Sequence, residues 1–164
     1  MSNGNPDRPP TDTLEAEAYL ELQRVADALG RTLGERLKPD DLSAAQYNVL
    51  RILRGAGTEG LPCGAIAVRM VTRDPDVTRL LDRLERRGLA ARVRESRDRR
   101  VVRTTITTAG LHLLSRLDAP IAALHEEQLA HLGHVRLRAL IQLLTLARQR
   151  AERPAAAPQP ESLP

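Results

Sequence analysis

Residues 74 to 110, DPDVTRLLDRLERRGLAARVRESRDRRVVRTTITTAG, constrain this chain more than any other stretch. Asp74 has the chemistry of a helix cap, and Pro75 suits the first helical position because a proline has no N–H to leave unpaired there. Val77, Leu80, Leu81 and Leu84 then recur at helical spacing as an apolar stripe, while Arg79, Asp82, Arg83 and Arg86 fall on the opposite side. Gly88 fits a left-handed cap that ends the helix and lets Leu89 touch Leu84. After it Leu89, Ala91 and Val93 alternate with Arg92 and Arg94, and Val102, Thr104 and Ile106 alternate with Arg103 and Thr105, predicting two strands around a polar loop, Ser96 to Arg100. A docked helix with a free arginine face, followed by a hairpin tipped with Ser-Arg-Asp-Arg-Arg, is a layout that sets one element in a major groove and a charged finger in the adjoining minor groove. It points to duplex DNA.

The rest of the chain reads as helices. Leu14, Ala18, Leu22, Val25, Leu29 and Leu33 step by four and three along one face of a long helix that ends near Leu37, before Lys38-Pro39. Ser43-Ala44-Ala45-Gln46 has the form of a capping box and opens a second helix with Tyr47, Val49, Leu50 and Leu53 turned inward. Gly55 to Gly60 is a turn, Leu61 falls in a short strand, and Cys63 to Val71 fits a third helix with Ile66, Ala67 and Met70 packed in. Thr107 caps a helix through Leu111, Leu114, Leu117, Ile121 and Leu124 toward His131, with a kink expected at Pro120. Gly133 separates it from a last helix carrying Val135, Leu137, Leu140, Ile141, Leu144 and Ala147. With two tyrosines and no Phe or Trp, burial falls to Leu, Val, Ile and Ala, which suits helices packed on helices in a mainly α fold.

Charge is unevenly spread. From Thr72 to Arg103 there are 11 arginines and 6 acidic residues, a net of +5, whereas the whole chain carries +4, so everything else sums to −1. A basic excess confined to one segment is the footprint of a polyanion. A single cysteine, Cys63, excludes an internal disulfide, no signal peptide is evident, and no apolar run approaches the roughly 20 residues of a membrane span. These point to a cytoplasmic protein without a membrane partner. No glycine-rich phosphate loop, nucleophile elbow or Ser/His/Asp arrangement marks an enzyme, and no cofactor is expected. His112, His125, His131 and His134 lack the four-residue spacing of helical metal ligands, so no metal is expected.

The motifs LSAAQYNVLRIL at 42–53, VTRLLDRLERRGLAAR at 77–92 and DRRVVRTTITTAG at 98–110 resemble those of the multiple antibiotic resistance regulator (MarR) family, and the likeness spans roughly residues 14–150. The resemblance implies a homodimeric winged helix-turn-helix transcription factor that binds double-stranded DNA, commonly a repressor, on a pseudo-palindromic operator with half-sites about 10 base pairs apart. It implies an N-terminal dimerisation helix over 14–41, the winged helix-turn-helix over 42–107 and C-terminal dimerisation helices over 108–150, while composition without periodicity reads as a disordered tail over 1–13 and a disordered Pro/Ala-rich tail over 151–164.

On this sequence the reading helix falls at 75–87, with Pro75, Asp76, Thr78, Arg79, Arg83 and Arg86 as its DNA set. Arg79 is placed to fork onto guanine O6 and N7. Thr78 suits a phosphate. Asp76, where relatives often carry Ser, suits a cytosine amino group or simply the helix dipole. Arg100 is the residue for the minor groove, Arg97 and Arg99 suit phosphates, and Asp98 orients the wing by pairing with Arg94 or Arg83. The resemblance further implies release by a small aromatic or phenolic effector, on elements that carry Tyr19, Arg24 and Tyr47. Two other readings compete. Cys63, before a short helix, is either a thiol redox sensor or a small half-buried filler. Asp76, Asp82, Glu85 and Glu95 dilute the basic face, which would suit a winged-helix dimer that binds another protein.

Overall fold

Side chains flanking the helices set where most of them start. In the computed structural model, which describes residues 13–72, 76–94 and 102–152, the hydroxyl of Thr13 accepts the Ala16 N–H at 3.2 Å and opens α1, Leu14–Leu37. Thr13 is thus a cap and no part of the expected tail. Ser43 and Gln46 form the reciprocal capping box of α2, Ala44–Ala56, with each side chain bonded to the other's backbone N–H at 3.1 and 2.9 Å. Asp76, not Asp74, caps α4, Val77–Arg86: its carboxylate accepts the Arg79 N–H at 3.0 Å while its own backbone is non-helical. The reading helix therefore begins at Val77, two residues later than the sequence suggests.

Three short antiparallel strands, β1 (Leu61–Pro62), β2 (Ala90–Arg94) and β3 (Val102–Ile106), pair in the order β1-β3-β2, with Leu61 opposite Thr104 and Arg92 opposite Thr104 on the other edge. The remaining helices are α3 (Cys63–Arg69), α5 (Thr108–Leu129) and α6 (Gly133–Ala151). The fold is mainly α, as the pattern predicts, and the short strand expected at Leu61 pairs with the hairpin as its third strand. The chain divides into two compact units, one running through Ala122 and the other from Ala123.

The core of the first unit is aliphatic. Leu37 of α1, Val49, Leu50 and Leu53 of α2, Ile66 of α3, Leu81 and Leu84 of α4 and Leu114 of α5 are all but inaccessible, and Tyr47 is the only aromatic residue among them. Leu113, Leu117 and Ile121 belong to the same cluster, so the first part of α5 is built into the winged-helix core. α5 continues through Pro120 as one helix.

Several sequence expectations fail at the margins. α3 ends at Arg69, because Met70 turns to extended backbone, leaving Ala67 and Val71 exposed while Met70 still reaches the core. In the hairpin, Val93 and Val102 are exposed, and the buried positions are Leu89, Ala90 and Thr104. The apolar row of α1 is uncovered over most of its length: Leu14, Leu22 and Val25 are exposed and only Leu37 is buried. In the second unit α6 has no buried residue, with Val135 and Ile141 at 84% and 62% exposure.

One junction holds the end of α4 in place. Gly88, at φ +66°, lets its N–H reach Glu85 O at 2.8 Å and the Leu89 N–H reach Leu84 O at 2.9 Å, the double bond of a Schellman cap. Thr107 then binds both carbonyls that leave this cap: its hydroxyl donates to Gly88 O at 2.6 Å and its N–H to Leu89 O at 3.1 Å. The same hydroxyl accepts the Gly110 N–H at 3.1 Å and so caps α5. α5 sits so close that a Cβ on Gly110 would lie 2.3 Å from Leu89 O and 2.7 Å from the Ile106 side chain.

Elsewhere, Arg54 of α2 grips Asp118 of α5 with two hydrogen bonds, at 2.7 and 2.9 Å. The Arg54 hydrogen bond holds the Asp118 carboxyl below its ordinary range, and the same bond raises Arg54.

Two outcomes are expected in thermal unfolding. Gly110→Ala costs about 1–3 kcal/mol through overpacking against backbone that cannot yield, and an unchanged melting temperature would contradict the close approach. Asp118→Asn costs about 1 kcal/mol or less at neutral pH, because the pair is partly solvated. A carboxylate with a lowered folded value stabilises above its unfolded value, about pH 4, and stops doing so as the pH falls through the folded one. The gap between the variant and the parent therefore closes below about pH 4.

Candidate nucleic-acid interface

The amphipathic division of α4 creates the surface. Val77, Leu80, Leu81 and Leu84 are buried, which fixes the helix's roll and turns Thr78, Arg79, Arg83 and Arg86 outward. The exposed guanidinium of Arg79 returns toward the cap, where its Nε lies 3.3 Å from Asp76 Oδ2. Arg86 Nε donates to Asp82 O at 3.3 Å, and the hydroxyl of Thr78 lies 3.7 Å from Cys63 Sγ.

Not every arginine of the basic segment faces solvent unpaired. Arg92 of β2 pairs with Asp82 and, at 3.1 Å, with Glu85, whose carboxylate also accepts the Arg92 N–H at 3.3 Å. Arg87 donates through one amino group to Asp41 O and through the other to Asp40 O at 2.8 Å, while Arg116 of α5 takes the Asp40 carboxylate at 3.1 Å. These two arginines brace the helix: Arg92 ties it to the wing, and Arg87 ties its end to the turn after α1. Sequence reasoning counted them only as charge. The signal for Arg92 was present in Asp82 and Glu85, an acidic pair three apart on one side of α4. Nothing local marked Arg87, because its acceptors are carbonyls 46 and 47 residues away. Asp82 and Glu85, two of the acids that dilute the basic face, are thus both paired with Arg92, and Glu95 lies outside the described residues.

The other expected residues are placed as follows. Pro75, Arg97, Asp98, Arg99 and Arg100 lie outside the described residues. Tyr47 is a core residue, with Arg51 stacked 5.8 Å from its ring centre. Tyr19 is exposed and bonded to Gln23 at 3.1 Å, and Arg24 is exposed and paired with Glu21 at 2.7 Å. Tyr19 and Arg24 stand on the exposed part of α1, whereas Tyr47 is buried in α2. The groove that does open lies between the last turn of α1, the first turn of α2 and the end of α4, about 770 Å³, with Lys38, Ser43, Gln46, Arg83, Arg86 and Arg87 among its walls. Cys63 is half-buried. Among the described residues no three His, Cys, Asp or Glu side chains gather as a metal site, and no helix is long and apolar enough to cross a membrane.

Residues 40–101 match the MarR family. A MarR transcription factor from Planctomyces limnophilus is 45% identical, with the match covering 82% of this chain and 98% of that one at a TM-score of 0.64. A mutant MarR from E. coli complexed with operator DNA is 26% identical over 85% of this chain and 99% of its own, with a TM-score of 0.74. The HTH-type transcriptional repressor MdtR of Bacillus subtilis (strain 168) is 32% identical over 99 residues, 60% of this chain and 63% of its own length. The chain thus spans about three fifths of that repressor.

Bracing and contacting arginines separate in a salt titration of duplex binding. Arg83→Ala, which removes an exposed cation, is expected to lower the slope of log affinity against log salt by about one. Arg87→Ala is expected to weaken binding with the slope unchanged. Equal changes in slope would contradict the division drawn from the hydrogen bonds.

Proposed function

The chain belongs to the MarR family of DNA-binding transcription regulators, and we propose that it works as a homodimeric repressor on a pseudo-palindromic operator, released by a small aromatic or phenolic effector. The carrying observation is the locked roll of α4, whose four buried apolar residues leave Thr78, Arg79, Arg83 and Arg86 on one open face. In this reading α4 lies in the major groove with Arg79 on a guanine, Arg83 and Arg86 follow the backbone, and Arg100 enters the minor groove, with Arg97 and Arg99 on flanking phosphates and Asp98 orienting the wing.

Dimerisation accounts for the apolar surface the isolated chain leaves wet. Leu22 and Val25 on α1, and Val135, Ile141 and Leu144 on α6, are exposed rows of the kind that a second copy covers. The effector arm of the reading is supported by the groove beside α4. Glu35 and Asp41 also line this groove, so an aromatic anion there would meet Lys38, Arg83 and Arg86 only if it bound against α4, and it would then draw on cations that the DNA also needs.

The test is stoichiometry and affinity on an inverted-repeat duplex. Sedimentation is expected to give two chains per duplex, and Arg79→Ala to cost about 1–3 kcal/mol on the cognate sequence and little on unrelated DNA. One chain per duplex would overturn the dimer, and an equal loss on all sequences would overturn the base-reading role.

A further inference from the structure

The Asp76 carboxylate performs two tasks with two different oxygens. Oδ1 accepts the backbone N–H of Arg79 at 3.0 Å, which starts α4. Oδ2 lies 3.3 Å from Nε of the same arginine's side chain, and that guanidinium is 72% exposed. A neutral capping residue such as Ser has an oxygen for the first task and none for the second. We infer that Asp76 is a positioning residue for base recognition, one that holds the Arg79 guanidinium by its Nε side and so presets its terminal amino groups for a guanine. The inference rests on the DNA reading proposed above.

The chemistry favours this role over a direct DNA contact. A carboxylate at a protein–DNA surface repels phosphate, so by itself it weakens binding to every sequence. Tied to an arginine that must reach a base edge, it reduces the rotamer freedom lost on association. It also polarises the guanidinium as a charge-assisted donor. A fork held at Nε presents its two Nη groups, whose spacing matches guanine O6 and N7 and which find no paired acceptors on the other bases. The expected signature of Asp76 is therefore a gain in discrimination at one base pair per half-site.

The test is selection of duplexes from a random library by the full-length protein, compared with Asp76→Asn and Asp76→Ser. Both replacements keep a capping oxygen, and both lose the charged partner of Nε. In Asn the second position is itself a donor. The parent is expected to select a guanine at one position of each half-site, and each variant to lower that preference about threefold, the scale of an exposed ion pair, with the other positions and the melting temperature unchanged. In an Arg79→Ala background the guanine preference is already absent, and Asp76→Asn is expected to change nothing further. A guanine preference retained by both variants, a loss spread evenly over all positions, or a parent motif without an Arg79-dependent guanine overturns the assignment. Failure of the parent to select any motif would instead sink the DNA reading itself.

Discussion

The junction at Gly88–Leu89 is the constraint on which the rest depends. Four backbone groups there serve three elements at once: the end of α4, the start of β2 and the start of α5. Its energy lies in satisfied polar groups. Helix ends leave carbonyls and N–H groups without partners, and a buried helix end would be costly if they stayed so. Here the last turn of α4 bonds into the cap, and the cap's own carbonyls bond to Thr107. The reading helix is thus fixed at its C-terminal end by backbone that α5 covers, with Gly110 allowing the contact.

That rigidity sorts the charges. Arg87 and Arg92 stand in the most basic segment of the chain, yet they stabilise the frame by bonding to carbonyls and carboxylates. The number of arginines in the segment therefore overstates how many it presents to a polyanion. Arg83 and Arg86 lie where no carboxylate claims them among the described residues, and Arg79 has its own acid at the cap. A surface built this way divides its work between braces and contacts, and the braces keep α4 and the wing hairpin in register.

Much of this was legible in advance. The roll of α4, the Ser43–Gln46 box, the Gly88 cap and the Thr107 restart are local patterns in which spacing and side-chain chemistry agree, and each is found where the pattern puts it. The family likeness rested on those same motifs. Illegible features were of two kinds. The cap of α4 was ambiguous because Asp74 and Asp76 offer the same chemistry two residues apart, and only the backbone decides which oxygen reaches an N–H. The bracing of Arg87 was invisible because its acceptors are main-chain carbonyls brought near by the packing of α1 on the core. The edges of the small sheet were misjudged for a related reason. Alternation alone does not say which face is covered: in β2 the buried residue is Ala90, on the face opposite Val93, while Val102 shares its face with buried Thr104 but stands at the outer end of β3.

The double duty at position 76 has an evolutionary reading. Any residue there must keep an oxygen for the helix start, so drift is confined to the few side chains that cap well. Within that small alphabet, moving between a charged and a neutral member would retune which promoters are recognised while leaving the scaffold intact. In this chain a single codon thus carries both the start of a helix and the hold on its first exposed arginine.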